Sequence, residues 1–255
     1  MIHESAIIDP TAVIGKNVTV GPWTMIGADV VVGDDCNIGP HVVLKGPTIL
    51  GSNNKIYQFS TIGDDTPDLK YKGEPTRLIV GDNNVIREGV TIHRGTVQDN
   101  SETVIGSNNL LMAYVHIGHD CVVGDHVIMI NNSAIAGHVH VGDWSILSGF
   151  SMIHQYVNLG AHCFIGPAAF IYHDVPACVT VSGNPAEPRT INREGLKRRG
   201  FSADDIALIN KAYKILYRRG LKLSEAISTI KNLGDQTVIS AFVESLEKSN
   251  RGIIR

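Results

Sequence analysis

The chain has 255 residues, of which 18% are charged and 6% aromatic, with a formal net charge of −3 and four cysteines. No apolar run approaches the about 20 residues of a membrane-spanning helix, and MIHESAIIDP lacks the apolar core of a signal peptide. Cys36, Cys121, Cys163 and Cys178 form no CxxC pair and suit a reducing compartment, so a soluble cytoplasmic protein is expected.

From the N-terminus every sixth residue is aliphatic: Ile8, Ile14, Val20, Ile26, Val32, Ile38, Leu44, Leu50, Ile56 and Ile62. This period is the signature of a parallel β-helix, in which a unit is a short strand plus a corner and three units close one triangular coil. Coils stack at the strand spacing of about 4.8 Å. Gly follows many of the aliphatics (Gly15, Gly21, Gly27, Gly33, Gly39), and Asn pairs recur at Asn53-Asn54, Asn83-Asn84 and Asn108-Asn109. Gly and Asn are expected at corners because they tolerate positive φ. A narrow aliphatic core has little room for rings, in keeping with the low aromatic content. A β-sandwich would instead alternate with period two.

After Ile62 the segment from Asp64 to Pro75 is polar, and Asp68 and Glu74 occupy aliphatic positions of the phase. It reads as a protruding loop at about 64–77. The phase resumes at Val80, Ile86 and Ile92, then slips by one residue before Ile105, so a second loop is expected at about 93–104. Long loops on a regular scaffold usually carry function. The longest run follows: Ile105, Leu111, Ile117, Val123, Met129, Ile135, Val141, Leu147, Ile153, Leu159, Ile165 and Ile171.

The rhythm fades at Asp174-Val175-Pro176 and is broken by Gly183-Asn184-Pro185. Ser202 and Asp205 then give a helix N-cap signature. Ile206, Ile209, Tyr213 and Leu216 mark an apolar face, and Gly220 a C-cap. Further helices are expected from Ser224 and around Ile239, Phe242, Val243 and Leu246. The chain is thus mainly β: a hexapeptide-repeat β-helix over 1–190, followed by a small α-helical domain over 191–255. Between Arg193 and Lys222, nine Lys or Arg face three acids, so this stretch carries +6 and the remainder −9. A cationic patch on an acidic body suggests an anionic partner.

Eleven histidines are present, and most crowd between His116 and His162. Residues 18 apart should stack in one column on neighbouring coils. His119, Gly137 and Gln155 form one column; Asp120, His138 and Tyr156 form the next. A histidine can take and return a proton near neutral pH, a carboxylate can fix its tautomer, and a glycine lets a backbone N–H approach a reacting carbonyl. No Ser or Cys in these columns resembles an activated nucleophile, which favours direct transfer. On spacing alone the histidines could also form a zinc site between subunits of a trimer, or be surface residues of a rigid spacer.

Several strings resemble those of the UDP-N-acetylglucosamine O-acyltransferase family. They include Asp68-Leu69-Lys70-Tyr71-Lys72-Gly73-Glu74-Pro75-Thr76-Arg77, Ile92-His93-Arg94-Gly95-Thr96, His116-Ile117-Gly118-His119-Asp120, Ala136-Gly137-His138-Val139, His154-Gln155 and Glu194-Gly195-Leu196-Lys197-Arg198-Arg199-Gly200-Phe201. The likeness implies a left-handed β-helix and a homotrimer with clefts between subunits. It also implies transfer of an (R)-3-hydroxyacyl group from acyl carrier protein to the 3-hydroxyl of UDP-N-acetylglucosamine, the opening step of lipid A biosynthesis. On this resemblance His119 is the general base, Asp120 its orienting carboxylate and the Gly137 amide the oxyanion donor. Asp68, Lys70, His116, His138 and Gln155 bind the sugar portion or line its pocket, and His154 lies near the acyl chain and nucleotide. Asn192, Glu194, Arg198 and Arg199 contact the nucleotide or the pantetheine arm, and Pro167 takes the acyl-length position. Neither a metal nor a cofactor is implied, because phosphopantetheine arrives on the carrier protein; no nucleic acid partner is expected. A related N-acyltransferase would carry an extra N-terminal domain, whereas this repeat starts at Ile8.

Overall fold

The computed structural model describes residues 1–234 and 236–255. Consecutive short strands turn through three walls of a triangular prism, so each wall is a parallel sheet of every third strand. Face one runs from Ile7–Ile8 to Phe170–Ile171, face two from Val13–Ile14 to Asn158–Leu159, and face three from Thr19–Val20 to Phe164–Ile165. The coil is left-handed, against the usual right-handed crossover of parallel strands. The hexad aliphatics point inward. Ile117 pairs with Ile135, Ile135 with Ile153 and Ile153 with Ile171, all at most 3% exposed. Each such side chain contributes about 1.5–3 kcal/mol by leaving water. The rings are outside, as the narrow core requires: Trp23, Phe59, Tyr114 and Phe150 are exposed along the corner between faces three and one.

The corners correct one expectation. Gly63 (φ +81°) apart, the glycines that follow the aliphatics are not the residues at positive φ. That conformation falls two residues later, on non-glycines such as Asn17, Trp23, Asp120 and His138. The glycines answer a different demand, the close approach of stacked coils. A Cβ at Gly21 would lie 2.6 Å from the Pro40 nitrogen, and one at Gly33 2.6 Å from the Gly51 carbonyl carbon. Each Asn pair divides its work. Asn53, Asn83 and Asn108 take positive φ, while Asn54, Asn84 and Asn109 point inward as a ladder. Asn54 Oδ1 accepts from Asn84 N at 2.9 Å, and Asn84 Oδ1 from Asn109 N at 2.9 Å.

Ile62 pairs with Ile92, 30 residues on, and Ile92 with Ile117, 25 on, so the two excursions add 12 and seven residues to a coil of 18. Twelve is two hexads, which is why the phase survives the first. The excursions span 65–76 and 94–101, narrower than the sequence bounds. The strands Thr61–Asp64, Arg77–Val80, Thr91–His93 and Glu102–Ile105 extend the pairing outward.

The last coil is covered by an antiparallel hairpin, Val179–Gly183 with Ala186–Ile191. Asp174 bridges to Ile253, and Ile253 and Ile254 are buried against that end. Four helices follow the hairpin among the described residues: α1 (Arg193–Arg198), α2 (Ala203–Arg218), α3 (Leu223–Lys231) and α4 (Gln236–Glu247). Asn192 caps α1 by accepting from Gly195 N at 3.1 Å. Ser202 and Asp205 form the capping box of α2, whose buried face holds Ile206, Ile209, Tyr213 and Leu216. Gly220 follows with φ +66°. α3 begins one residue ahead of Ser224, and Ile239, Phe242, Val243 and Leu246 are the buried face of α4.

Candidate functional site

His119 and Asp120 sit at the corner between faces one and two, just after the strand His116–Ile117. Asp120 is 1% exposed, with φ +58°. That conformation suits Asp better than most side chains. Thr96 donates to both of its oxygens, from its backbone N–H to Oδ1 at 2.8 Å and from its hydroxyl to Oδ2 at 2.7 Å. His119 Nδ1 meets Oδ2 at 2.7 Å. Burial alone would raise the Asp120 pKa, but the bonds from His119 and Thr96 together outweigh it and hold the carboxyl below its ordinary value. An ionised carboxylate only accepts, so His119 Nδ1 carries the hydrogen and the neutral imidazole keeps its lone pair on Nε2. That atom faces the Gly137 backbone. A Cβ there would lie 2.6 Å from His119 Nε2 and Cε1, so the approach admits only hydrogen.

The columns expected from the 18-residue rule form, and residues outside them join. His138 stands edge-on to His119, ring centroids 4.9 Å apart, and stacks on Tyr156 at 4.2 Å. Its Nδ1 meets Asp99 Oδ2 at 2.7 Å and its Nε2 lies 3.9 Å from Asp120 Oδ2. Asp99 and Thr96 belong to the second excursion and were not singled out from the sequence. His116 lies on the face-one strand that leads into this corner, three residues before His119, with Nδ1 at 2.8 Å from the Thr91 hydroxyl and its ring edge-on to His93. Burial, then the neighbouring histidines, push its pKa down; burial does the same for His93 despite Asp64. His93 too is an addition to the sequence-derived set.

Asp68 and Lys70 lie on the first excursion, where Lys70 N donates to Asp68 Oδ1 at 2.9 Å. Gln155 is exposed, and its carbonyl accepts from Arg251 at 3.1 Å and meets His154 Nδ1 at 3.1 Å. Pro167 is exposed at the corner between faces three and one, across face one from His119 and on a later coil.

Asn192, Glu194, Arg198 and Arg199 do not join this group. They line a separate cavity with Trp144 and His126, which opens onto face three, the wall opposite the His119 corner. Asn192 donates to the His162 carbonyl at 2.9 Å, and the Arg199 guanidinium lies 5.5 Å over the Trp144 ring. Arg199 Nη1 is 3.1 Å from His162 Nδ1. Burial first, and then the Arg199 charge, push His162 down to about 4, so near neutral pH its Nδ1 accepts.

Three donors, His119, Asp120 and His138, come within 4.8 Å of one another, the only such group of metal-ligating side chains among the described residues. Within that group Asp120 Oδ1 accepts from Thr96, and Oδ2 is engaged by both Thr96 and His119. Cys121, beside Asp120, is fully buried and its thiol is pushed up to about 12, so it is no nucleophile.

Two family models match: the second domain of UDP-N-acetylglucosamine O-acyltransferase over residues 174–254, and the bacterial transferase hexapeptide over 11–46, 29–64 and 102–129. The acyl-[acyl-carrier-protein]–UDP-N-acetylglucosamine O-acyltransferase of Stutzerimonas stutzeri is 58% identical over 100% of this chain and 99% of its own. That of Pseudomonas fluorescens Pf-5 is 59% identical with the same coverage. Among solved structures, LpxA of Acinetobacter baumannii superposes with a TM-score of 0.98 at 49% identity, covering 100% of this chain and 99% of that one. The UDP-N-acetylglucosamine acyltransferase of Francisella novicida gives 0.98 at 41%, covering 100% and 94%.

Proposed function

The chain belongs to the UDP-N-acetylglucosamine O-acyltransferase family and is an O-acyltransferase, and from that premise we propose that it moves an (R)-3-hydroxyacyl group from acyl carrier protein to the 3-hydroxyl of UDP-N-acetylglucosamine, the first step of lipid A biosynthesis. The observation that carries this reading is the His119–Asp120 pair, with Nδ1 committed to the carboxylate and Nε2 left basic beside the Gly137 backbone.

The sugar 3-hydroxyl gives its proton to His119 Nε2 as its oxygen attacks the thioester carbonyl. Asp120 stabilises the imidazolium that forms. The Gly137 N–H, which makes no hydrogen bond among the described residues, supplies a donor to the tetrahedral oxyanion. Collapse expels the pantetheine sulfur, which takes the proton back from His119. Asp68, Lys70, His116, His138 and Gln155 surround the sugar in this reading. No metal or dissociable cofactor takes part.

The nucleotide and pantetheine contacts Asn192, Glu194, Arg198 and Arg199 open onto the wall opposite His119, so one copy cannot bring both sets to one substrate. A closed ring of three copies would lay face three of one beside the His119 corner of the next. The active species in this reading is a homotrimer. The basic stretch from Arg193 to Lys222 offers acidic acyl carrier protein a complementary surface. The four cysteines are free and buried, in keeping with a cytoplasmic location.

The test is acyl transfer from 3-hydroxyacyl carrier proteins of graded length to UDP-N-acetylglucosamine. His119→Ala should lose about 10²- to 10⁴-fold in rate while keeping its assembly state. Near-wild-type turnover by that variant would refute the role. A zinc-dependent hydratase, which the three clustered donors raise as the alternative, requires stoichiometric zinc and sensitivity to chelators.

A further inference from the structure

The second excursion, residues 94–101, carries none of the groups assigned to chemistry or substrate, yet it grips several that are. Arg94 is 6% exposed. Its Nη1 donates to the Gly63 carbonyl at 2.6 Å, and its Nη2 to the Asp65 carboxylate and, at 3.1 Å, to the Tyr71 hydroxyl. The Tyr71 hydroxyl in turn donates to the Glu74 carbonyl at 3.0 Å. Backbone bonds run from Arg94 N to the Asp64 carbonyl at 3.0 Å and from Gly95 N to the Arg77 carbonyl at 3.3 Å. One short stretch therefore pins the entry, the middle and the exit of the first excursion, and Asp68 and Lys70 are suspended between those pins. Tyr71 N also donates to the Asp68 carbonyl at 3.0 Å, so the ring that Arg94 holds is tied directly to Asp68.

The same stretch reaches the base. Thr96, 1% exposed, donates twice to Asp120, and Asp99 meets His138 Nδ1 at 2.7 Å. Between the two grips stands Gly95, where a Cβ would lie 2.2 Å from Glu102 N. The link between Arg94 and Thr96 is thus packed against the coil and cannot slide. A buried guanidinium is costly unless its fork is matched by acceptors. Apolar packing would anchor a surface loop at less cost, but would not fix its orientation.

We infer that Arg94 and Thr96 are positioning residues for the transfer: Arg94 sets the loop that presents Asp68 and Lys70 to the sugar, and Thr96 sets the Asp120 carboxylate that orients His119. Residues 94–101 then hold acceptor and base in one frame. The inference rests on the proposed reaction, with Asp68 and Lys70 as sugar contacts.

The two grips predict opposite kinetic signatures in the full-length enzyme. Arg94→Lys keeps the charge and loses the fork; the KM for UDP-N-acetylglucosamine should rise about tenfold, with kcat and the KM for acyl donor changed less than about twofold. Thr96→Val keeps the backbone bond to Asp120 and loses the hydroxyl; kcat should fall about tenfold with both KM values held, and Thr96→Ser should restore it. Matched losses in all parameters that track the melting temperature mean a structural role only, and overturn the inference. Should Arg94→Lys not fold, Tyr71→Phe, which keeps the ring and removes the hydroxyl that accepts from Arg94 and donates to the Glu74 carbonyl, must show the same selective rise in acceptor KM, and its absence is equally fatal. A folded wild-type enzyme that transfers nothing overturns the proposed reaction and this inference together, whereas an active wild type with non-selective variants overturns this inference alone.

Discussion

The backbone of Gly137 closes so tightly on the imidazole of His119 that a methyl group there would stand 2.6 Å from Nε2. The ring cannot retreat, because Nδ1 is held at 2.7 Å by a buried carboxylate. Gly137→Ala should therefore displace the base without unfolding the coil. A misplacement near 1 Å costs about 10²-fold, to be read as kcat against an unchanged far-ultraviolet spectrum. Full activity in this variant would show that the contact is not part of the working geometry.

Asp120→Asn substitutes a neutral group that can turn an N–H toward His119 Nδ1. The imidazole then adopts the other tautomer and Nε2 is no longer basic. By analogy with other His–carboxylate pairs the loss approaches about 10⁴-fold. Steady-state rates decide the matter, and a fall below about tenfold would leave the carboxylate a structural part only.

Mixed assemblies test whether the site is shared between copies. His119→Ala and Arg199→Met should each be nearly inactive alone. Co-expressed and co-purified, random mixing would leave roughly a quarter of the sites free of both lesions, if base and guanidinium come from neighbouring copies. Recovery of activity in the mixed sample is the expected result; a site contained in one chain would give none.

His162 makes the fold sensitive to acid. Its folded pKa of about 4 lies below the ordinary 6.5, through burial and the Arg199 charge. Between those values the unfolded chain binds a proton that the folded chain refuses, so stability drops as pH falls through that window and is level above it. His93 and His116 are depressed in the same direction and add to the slope. Asp120, depressed below the ordinary 3.8, loses its contribution only at more acid pH. Melting temperatures from pH 7 down to 4 should fall less steeply in His162→Gln than in the wild type. Parallel curves would rule the residue out as the source.

The hexad period alone places His119, Asp120, Gly137 and His138 together, because a coil of 18 residues turns sequence distance into columns. The same rule explains what it misses. The first excursion adds two whole hexads and leaves the register intact, but the second adds seven residues. Arg94, Thr96 and Asp99 therefore belong to no column, and nothing in their spacing announces that they reach Asp65, Asp120 and His138. Asn192 and Arg199 lie past the last repeat, where the column rule has no content. The corner glycines were legible as corners but not for the right reason: what they supply is room for the next coil, while Asp120 and His138 themselves take the left-handed backbone.

A β-helix has two raw ends, each a triangle of backbone donors or acceptors that would pair with any strand offered to it. Here the hairpin from Val179 to Ile191 covers one side of the upper triangle, and the final residues seal another, with Asp174 N donating to Gly252 and Ile254 N to Asp174. The last few residues thus act as a stopper against growth. A chain cut before Arg251 would keep its catalytic columns and acquire an adhesive end, and its characteristic failure would be end-to-end association into rods rather than loss of chemistry.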